Sequence, residues 1–492
     1  MHPVTAANST HVPATRSVGL ARLREKQLDL LVIGGGIVGA GIARDAAMRG
    51  LRTGLVDRHD FAFGTSSRSS RLLHGGLRYL EQGRIGLVRE ASLEKKIIHR
   101  IAPHLSRPLG FVFPSYHGSG RPLWQLKLGV KIYDLLCSGR NFSPSCGLTP
   151  GETGQALPGV DPVGLRGSVR YFDALTNDAR LVIDTLRSAA GHGAALANYV
   201  RFHDARRIGD GWRCELEDGL AGERISVEAR TMVNATGPWA QGIPHSAVRL
   251  RLSKGIHVVV ERSRLPAVSA GVLTEGRRIL FVLPWGERTI VGTTDTDYAG
   301  APEDVAVQPE DVGYVLDAVN RAFPRVALTE QDIVSQWAGL RALVANPNGT
   351  PSDISRAHEI LQAEPGWWDV TGGKLTTYRL MAEQTVDQLA RHLGRRVARS
   401  RTAEEPLLPE GRTDFSGIEP APFGQPAVRH YLEGEWAATL GDIMIRRSGW
   451  HYYWRDTEAR AKQVAGWMGE LCGWTAARSS EELARYLTGT DG

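Results

Sequence analysis

An α/β fold is predicted for this chain. A doubly wound parallel domain opens it, a domain with a mixed or antiparallel sheet is inserted, and a small helical domain ends it. Three observations predict this. Residues 28–57 read as strand, glycine turn, helix, strand and acid. Segments 247–260, 279–284 and 288–293 have strand character without intervening helices, with turns expected at Lys254–Gly255 and Trp285–Gly286. Residues 427–492 read as amphipathic helical pieces carrying five tryptophans.

The opening unit is the most specific. Leu30, Leu31, Val32 and Ile33 form the continuous apolar run of a buried parallel strand. Gly34, Gly36 and Gly39 follow as G-x-G-x-x-G. The first glycine permits the tight turn, the second lets backbone approach a pyrophosphate, and the third lets the helix pack closely on the sheet. The helix start offers free N–H groups to phosphates. A second apolar run ends at Val56, and Asp57, 21 residues after Gly36, follows it and suits a ribose hydroxyl. A dinucleotide site is therefore predicted.

Past this unit lies the polar loop 64–70, GTSSRSS, whose Thr65, Ser66, Ser67 and Ser70 hydroxyls and backbone N–H groups suit a pyrophosphate or ribityl chain, an ordinary polar loop being the other reading. Segment 87–99 has helical spacing. Residues 102–170 are rich in Pro and Gly and read as irregular. Segment 177–190 reads as an amphipathic helix leading to a strand near 195–200, and 224–234 as a strand entering ATGPW. Segment 308–323 reads as a crossover helix, and 374–392 as a helix opened by the turn Gly372–Gly373. The predicted domains are a disordered tail (1–27), a discontinuous dinucleotide domain (28–100, 171–245 and 345–400), a cap (101–170 and 246–344), a linker (401–426) and the helical domain (427–492).

At 492 residues the chain is long for one core. No apolar run approaches the roughly 18 residues needed to span a bilayer, and the N-terminal residues lack the apolar core of a signal peptide. The net charge of +6 suits an anionic substrate or lipid surface. Nucleic acid is not expected, because no basic stripe is interleaved with aromatics. Cys137, Cys146, Cys214 and Cys472 have no C-x-x-C spacing, so no metal site is expected, and they fit a reducing cytoplasm.

Four features favour FAD over NAD: the fingerprint at the start, the long polar loop, the strand ending in Asn234–Trp239, and the late glycine turn at 372–373. Three separated segments returning to one cofactor suit a long dinucleotide lying across the sheet. Thr236, Gly237, Gly373, Leu375 and Thr376 are the cofactor contacts expected from the later two.

HGGLRYLE (74–81), NATGPW (234–239), KGIHVV (254–259), GTTDTDY (292–298) and GGKLTTYR (372–379) resemble flavin-dependent glycerol-3-phosphate dehydrogenases, in the same order over about residues 28–395. NATGPW alone marks only the wider family of amine- and hydroxyacid-oxidising flavoproteins. WAGLRALV (337–344) departs from the family's usual S-G-V/L-R-P-L type segment but keeps Arg341. The C-terminal domain looks shorter than usual, which leaves oligomerisation and membrane contact open.

The resemblance implies oxidation of sn-glycerol 3-phosphate to glycerone phosphate by hydride transfer to non-covalently bound FAD. Electrons would pass to a quinone from a cytoplasmic, peripheral membrane protein, with a homodimer as a possible assembly. Oxygen as acceptor, or a 2-hydroxy acid or amine as substrate, are the alternatives. The resemblance also implies that Arg78, Arg341, Arg356 and Lys374 surround the substrate phosphate or the flavin edge. Arg and Lys are the residue types a phosphate requires; surface ion pairs are the other reading of Arg78 and Arg356. A base must take the hydroxyl proton, and histidine suits that task. His257 is the first candidate and His74 the second; the expected division makes His257 the base and has His74, with Gly75 and Gly76, hold the flavin. Tyr79 either donates a hydroxyl or packs, and Asp295 either orients a partner or caps a turn. A helix expected over 435–447 either contacts lipid through Trp436, Leu440, Ile443 and Ile445 or packs in the small domain's core.

Overall fold

The computed structural model describes residues 14–489 apart from 82, 119, 138–140, 276–277 and 345–357; for Ala14, Arg78 and Glu81 it describes the backbone alone. Among the described residues there are two large sheets. In the first, strands His358–Glu364, Trp367–Gly372, Glu223–Asn234, Leu28–Ile33, Thr53–Val56 and Ala195–Ala197 lie side by side in that order. From Trp367–Gly372 onward neighbours are parallel, and His358–Glu364 closes one edge antiparallel. A hairpin of Val200–Ile208 and Gly211–Asp218 pairs with the first half of Glu223–Asn234.

Strand alternation divides the opening strand between two cores. Leu30 and Val32 pack with the helices Ile37–Met48, Asp178–Gly191 and Tyr378–His392. Leu31 and Ile33 pack on the other face with Trp212 and Trp367. Asn177 caps its helix by accepting from Arg180 N–H, which explains why the pattern starts there.

The second sheet has strand order Thr296–Tyr298, Leu250–Glu261, Arg288–Gly292, Arg278–Trp285, Ala270–Glu275, Arg107–Tyr116, Leu165–Leu175 and Leu72–Leu73. It is antiparallel except where Ala270–Glu275 meets Arg107–Tyr116. Lys254–Gly255 is not a turn but mid-strand, paired with Gly339–Leu340 of Ile333–Val344. Alternation along Leu250–Glu261 sends Ile256, Val258 and Val260 under the helix Pro309–Ala322. His257 therefore points to the opposite face.

Several expectations are corrected. The tail expected over 1–27 contains the helix Ala14–Glu25, docked on the sheet. Arg16 is buried there against Asp218 at 2.6 Å, and Gly19 lies so close to the strand that a Cβ would fall 1.9 Å from the Leu196 carbonyl oxygen. Leu23 is buried in the core beneath the sheet and Leu20 packs against it, so Arg16, Gly19, Leu20 and Leu23 form the docking face; polar composition hid it because only two of those four residues carry apolar side chains. The region 102–170 is not irregular: it holds the long strand Arg107–Tyr116 and the helix Leu123–Leu136. Leu165–Leu175 is one strand of the second sheet and runs across the predicted 170/171 boundary. Residues 401–424 lack regular structure, but Leu407 and Leu408 are buried in the first core.

The expected helix 435–447 forms only in its second half: residues 435–439 are irregular, with Trp436 at φ +57°, and 440–441 lead into a π-helix, Asp442–Arg447. Leu440 and Ile443 are buried in the small domain's core with Ile445 partly buried against it, as the packing reading expects, whereas Trp436 is buried in the first domain's core. Its Arg446 and Arg447 both reach the buried Asp60 carboxylate at 2.6 Å, binding the C-terminal helices to the first domain.

Candidate active site

A cavity of about 380 Å³ runs along the carboxyl ends of the first sheet's strands, where open α/β folds bind ligands. Its walls come from the segments singled out by sequence. Gly34, Gly36 and Asp57 line one end, Thr65 and Ser66 the side, and Thr236, Gly237, Gly373, Leu375, Thr376 and Lys374 the remainder. Gly34 has φ +109°, and a Cβ there would lie 2.6 Å from Ala235 O. Gly39 does not line the cavity; a Cβ on it would lie 1.9 Å from Gly34 O, so it serves helix packing. Around Gly36, by contrast, a Cβ would meet only Ser66 Oγ at 3.2 Å. The glycine therefore leaves open space on the cavity side rather than filling a protein contact.

Asp57 accepts from Gly35 N–H at 2.7 Å and His59 N–H at 2.9 Å. Burial raises its carboxyl to about 6 against the pull of those two bonds. Ser66 Oγ accepts from Ile37 N–H at 3.0 Å, tying the polar loop to the helix start. Thr65 donates to Leu340 O at 2.6 Å and so joins the loop to the second sheet. Ser67 turns inward, is 3 % exposed and does not line the cavity.

A second, largely apolar cavity of about 300 Å³ adjoins the first. Leu72, His74, Phe281, Thr293 and Arg341 line both. Gly76 and Tyr79 line only the second, and Gly75 lines neither. Lys374 Nζ sits over the Tyr79 ring, 3.8 Å from its centroid, so Tyr79 packs as a cation-binding face.

Arg341, on the strand Ile333–Val344, donates through Nη2 to Thr293 Oγ1 at 3.0 Å and through Nη1 to Asp295 at 3.2 Å. Asp295 thereby orients the arginine, the role the sequence left open; Ser253 hydrogen-bonds the same carboxylate. Gly255 makes room, since a Cβ there would lie 2.5 Å from the guanidinium. Arg356 lies outside the described residues, and the Arg78 side chain is not described.

His257 lines the first cavity only. It shares a hydrogen bond with Ser70 Oγ at 2.9 Å and stacks on Trp337, with ring centroids 5.0 Å apart. Burial, reinforced by the positive Arg341 and Arg71, lowers its pKa to about 3. It is neutral at any working pH but resists taking up a proton. His74 is half-buried where the two cavities meet. Its N–H donates to Thr376 Oγ1 at 3.0 Å, joining HGGL to GGKLTT. Sequence reasoning missed Thr293 and Ser253 as partners of Arg341, although Thr293 lies inside the quoted GTTDTDY stretch. Trp337 opens the quoted WAGLRALV segment, but nothing in the sequence pointed to its ring as the stacking partner of His257. Among the described residues no cluster of His, Cys, Asp or Glu could hold a metal, and no helix is long and apolar enough to cross a membrane.

A glycine-lined trench over a parallel sheet, walled by a second, mostly antiparallel sheet that brings in basic side chains, is the build of a flavin-dependent oxidoreductase. A family model for FAD dependent oxidoreductases matches residues 29–388, and the chain belongs to that family. It is 39% identical over 383 residues to the aerobic glycerol-3-phosphate dehydrogenase of Staphylococcus aureus, covering 75% of this chain and 68% of that one. Among solved structures it is similar to a glycerol-3-phosphate dehydrogenase from Bacillus halodurans complexed with FAD, with TM-score 0.78, 28% identity and 97% of each chain covered. An L-alpha-glycerophosphate oxidase from Mycoplasma pneumoniae shares the fold, with TM-score 0.60 at 15% identity over 78% of this chain and 99% of that one.

Proposed function

We propose that this chain oxidises sn-glycerol 3-phosphate to glycerone phosphate with non-covalently bound FAD and passes the electrons to a membrane quinone. The observation that carries the reading is the meeting of Arg341, Lys374 and His74 beside the trench. The trench fits FAD: the glycine at 36 leaves space for a pyrophosphate, and three separated segments line its length. Bound FAD supplies the hydride acceptor. The substrate phosphate is held by the planar fork of Arg341 and by Lys374 as a point charge. Asp295 and Thr293 fix the fork's direction. His74 takes the hydroxyl proton. The low pKa of His257 speaks against that role for it, because an efficient base has a pKa near working pH. His257 instead forms a rigid, neutral wall with Ser70 and Trp337.

The helix Leu123–Leu136 supports peripheral membrane contact. Trp124, Leu128, Ile132 and Leu135 follow helical spacing on one face and are 69, 55, 40 and 72% exposed. Lys127 and Lys131 on the same helix are exposed as well. An apolar stripe with adjacent cations suits an anionic lipid surface. Leu128 and Ile132 also line the second cavity, which offers an apolar acceptor a path toward His74.

The test is anaerobic mixing of the FAD-loaded protein with sn-glycerol 3-phosphate. Flavin absorbance should bleach, should not bleach with glycerol or 2-hydroxy acids, and should return on adding a short-chain quinone. Stoichiometric peroxide on readmitting air, with no response to quinone, would instead identify oxygen as the acceptor. Trp124→Ser with Leu128→Ser should abolish sedimentation with anionic vesicles. A dimer whose dissociation alone exposes the stripe would refute the membrane reading.

A further inference from the structure

We infer that Tyr133, backed by Asp173 and Lys95, is a positioning residue that sets where His74 stands. The inference rests on His74 being the proton acceptor. Tyr133 lies on the inner face of the helix Leu123–Leu136 and is fully buried. Its hydroxyl accepts from Gly75 N–H at 2.9 Å and donates to Asp173 Oδ1 at 2.6 Å. Lys95 Nζ donates to the same carboxylate oxygen at 2.7 Å, and also to Asn141 Oδ1 and Phe172 O, each at 3.0 Å. Lys95 is fully buried and Asp173 is 2% exposed.

The chain has a fixed direction. An ionised carboxylate only accepts and an ammonium only donates. With Lys95 beside it, Asp173 takes the Tyr133 proton into its hydrogen bond, which leaves a Tyr133 lone pair for the Gly75 N–H. On the other side of the loop, the His74 N–H and carbonyl are both joined to Thr376 Oγ1, at 3.0 and 3.3 Å. The peptide that carries His74 is thus clamped between Tyr133 and Thr376. Only glycine allows so close an approach, since a Cβ at 75 would lie 2.4 Å from Ser92 Oγ and 2.5 Å from Tyr133 Oη.

A buried lysine–aspartate pair is a poor device for stability, because desolvation offsets its attraction. Its effect here is to orient one hydroxyl at the loop beside both cavities. Tyr133 lines neither cavity and so acts through Gly75. With phenylalanine at 133 the ring can still pack on Tyr171, its T-shaped neighbour. The Gly75 N–H, however, would lose this buried partner and turn the peptide toward another. A displacement of about 1 Å in a reacting group can cost on the order of 10²-fold in rate.

The experiment is anaerobic stopped-flow reduction of the FAD-loaded protein by sn-glycerol 3-phosphate across pH 6–9, on wild type, Tyr133→Phe, Gly75→Ala and His74→Asn. FAD content and melting temperature are measured on the same samples. Tyr133→Phe should lower the plateau of the pH profile roughly 10- to 100-fold, with substrate saturation and FAD content near wild type. Gly75→Ala should do the same through the other partner. A slow His74→Asn enzyme beside a Tyr133→Phe enzyme at wild-type rate would overturn this inference and leave the acceptor reading standing. A His74→Asn enzyme at wild-type rate would overturn both. If Tyr133→Phe fails to fold or to hold FAD, Gly75→Ala decides: folded, loaded and fast, it overturns the inference.

Discussion

Replacing Arg341 by alanine should cost this enzyme its hold on the phosphate rather than its flavin chemistry. The Arg341 side chain is 23% exposed, and its guanidinium is already oriented by Asp295 at 3.2 Å and Thr293 at 3.0 Å, so little ordering remains when substrate arrives. A charge-assisted hydrogen bond is worth about 1.5–3 kcal/mol. At 1.4 kcal/mol per factor of ten, kcat/KM for sn-glycerol 3-phosphate should fall about 10- to 150-fold, chiefly through KM. A second loss comes from Asp295. With its arginine gone, a carboxylate whose side chain is 16% exposed faces the phosphate dianion. Asp295→Asn added to Arg341→Ala should therefore recover part of the loss, whereas Asp295→Asn alone should not improve the enzyme. Arg341→Lys should restore the charge but not the fork, and so only part of the efficiency. The assay is steady-state dye reduction with sn-glycerol 3-phosphate and with glycerol, each variant checked for FAD. A silent Arg341→Ala, or equal damage to both substrates, would refute the phosphate role.

Three further outcomes are expected. Gly36→Ala should lower FAD retention while leaving the melting temperature of the FAD-free protein near wild type, whereas Gly39→Ala should lower that temperature, because its Cβ would lie 1.9 Å from a carbonyl oxygen; identical behaviour of the two would contradict the division of roles. Two histidines should tilt stability against pH in opposite senses. The pKa of His257 falls to about 3 in the folded state, so between about pH 6.5 and 3 the unfolded chain binds more protons and stability drops as pH falls, by at most about 1.4 kcal/mol per pH unit. In His245, hydrogen-bonded to Glu364 at 2.9 Å and Ala205 O at 2.8 Å, those bonds outweigh burial and raise the pKa, so its contribution is full below about pH 6.5 and is lost as pH rises through the folded value. Urea melts of His257→Gln and His245→Gln should flatten the acid and the neutral-to-alkaline limbs respectively, and unchanged limbs would refute the assignments. Arg16→Met should cost about 3–5 kcal/mol by leaving Asp218 buried without its cation, and a loss below about 0.5 kcal/mol would mean the N-terminal helix is not docked in solution.

The sequence by itself determined what depends on neighbouring residues. Gly34, Gly36 and Gly39 with the apolar run before them specify strand, turn and helix, because backbone freedom and periodicity are local properties. GGKLTTYR and HGGLRYLE announced the loops that meet at the site. The tertiary structure alone decided which groups face one another. Alternation along Leu250–Glu261 put His257 on the cavity side, but its neutrality down to about pH 3 comes first from burial and then from Arg341 and Arg71, all supplied by other elements. Asp295 could not be assigned until Arg341, 46 positions later, was folded against it. The helix Ala14–Glu25 was invisible because its docking face, Arg16, Gly19, Leu20 and Leu23, contains only two apolar side chains and depends on an ion pair with the distant Asp218. The sequence of 435–447 fits both a lipid face and a core, and the fold decides for the interior by burying Trp436, Leu440 and Ile443 and pairing Arg446 and Arg447 with Asp60. Burial, pairing and desolvation are sums over contacts distant in sequence, and local pattern carries no record of them.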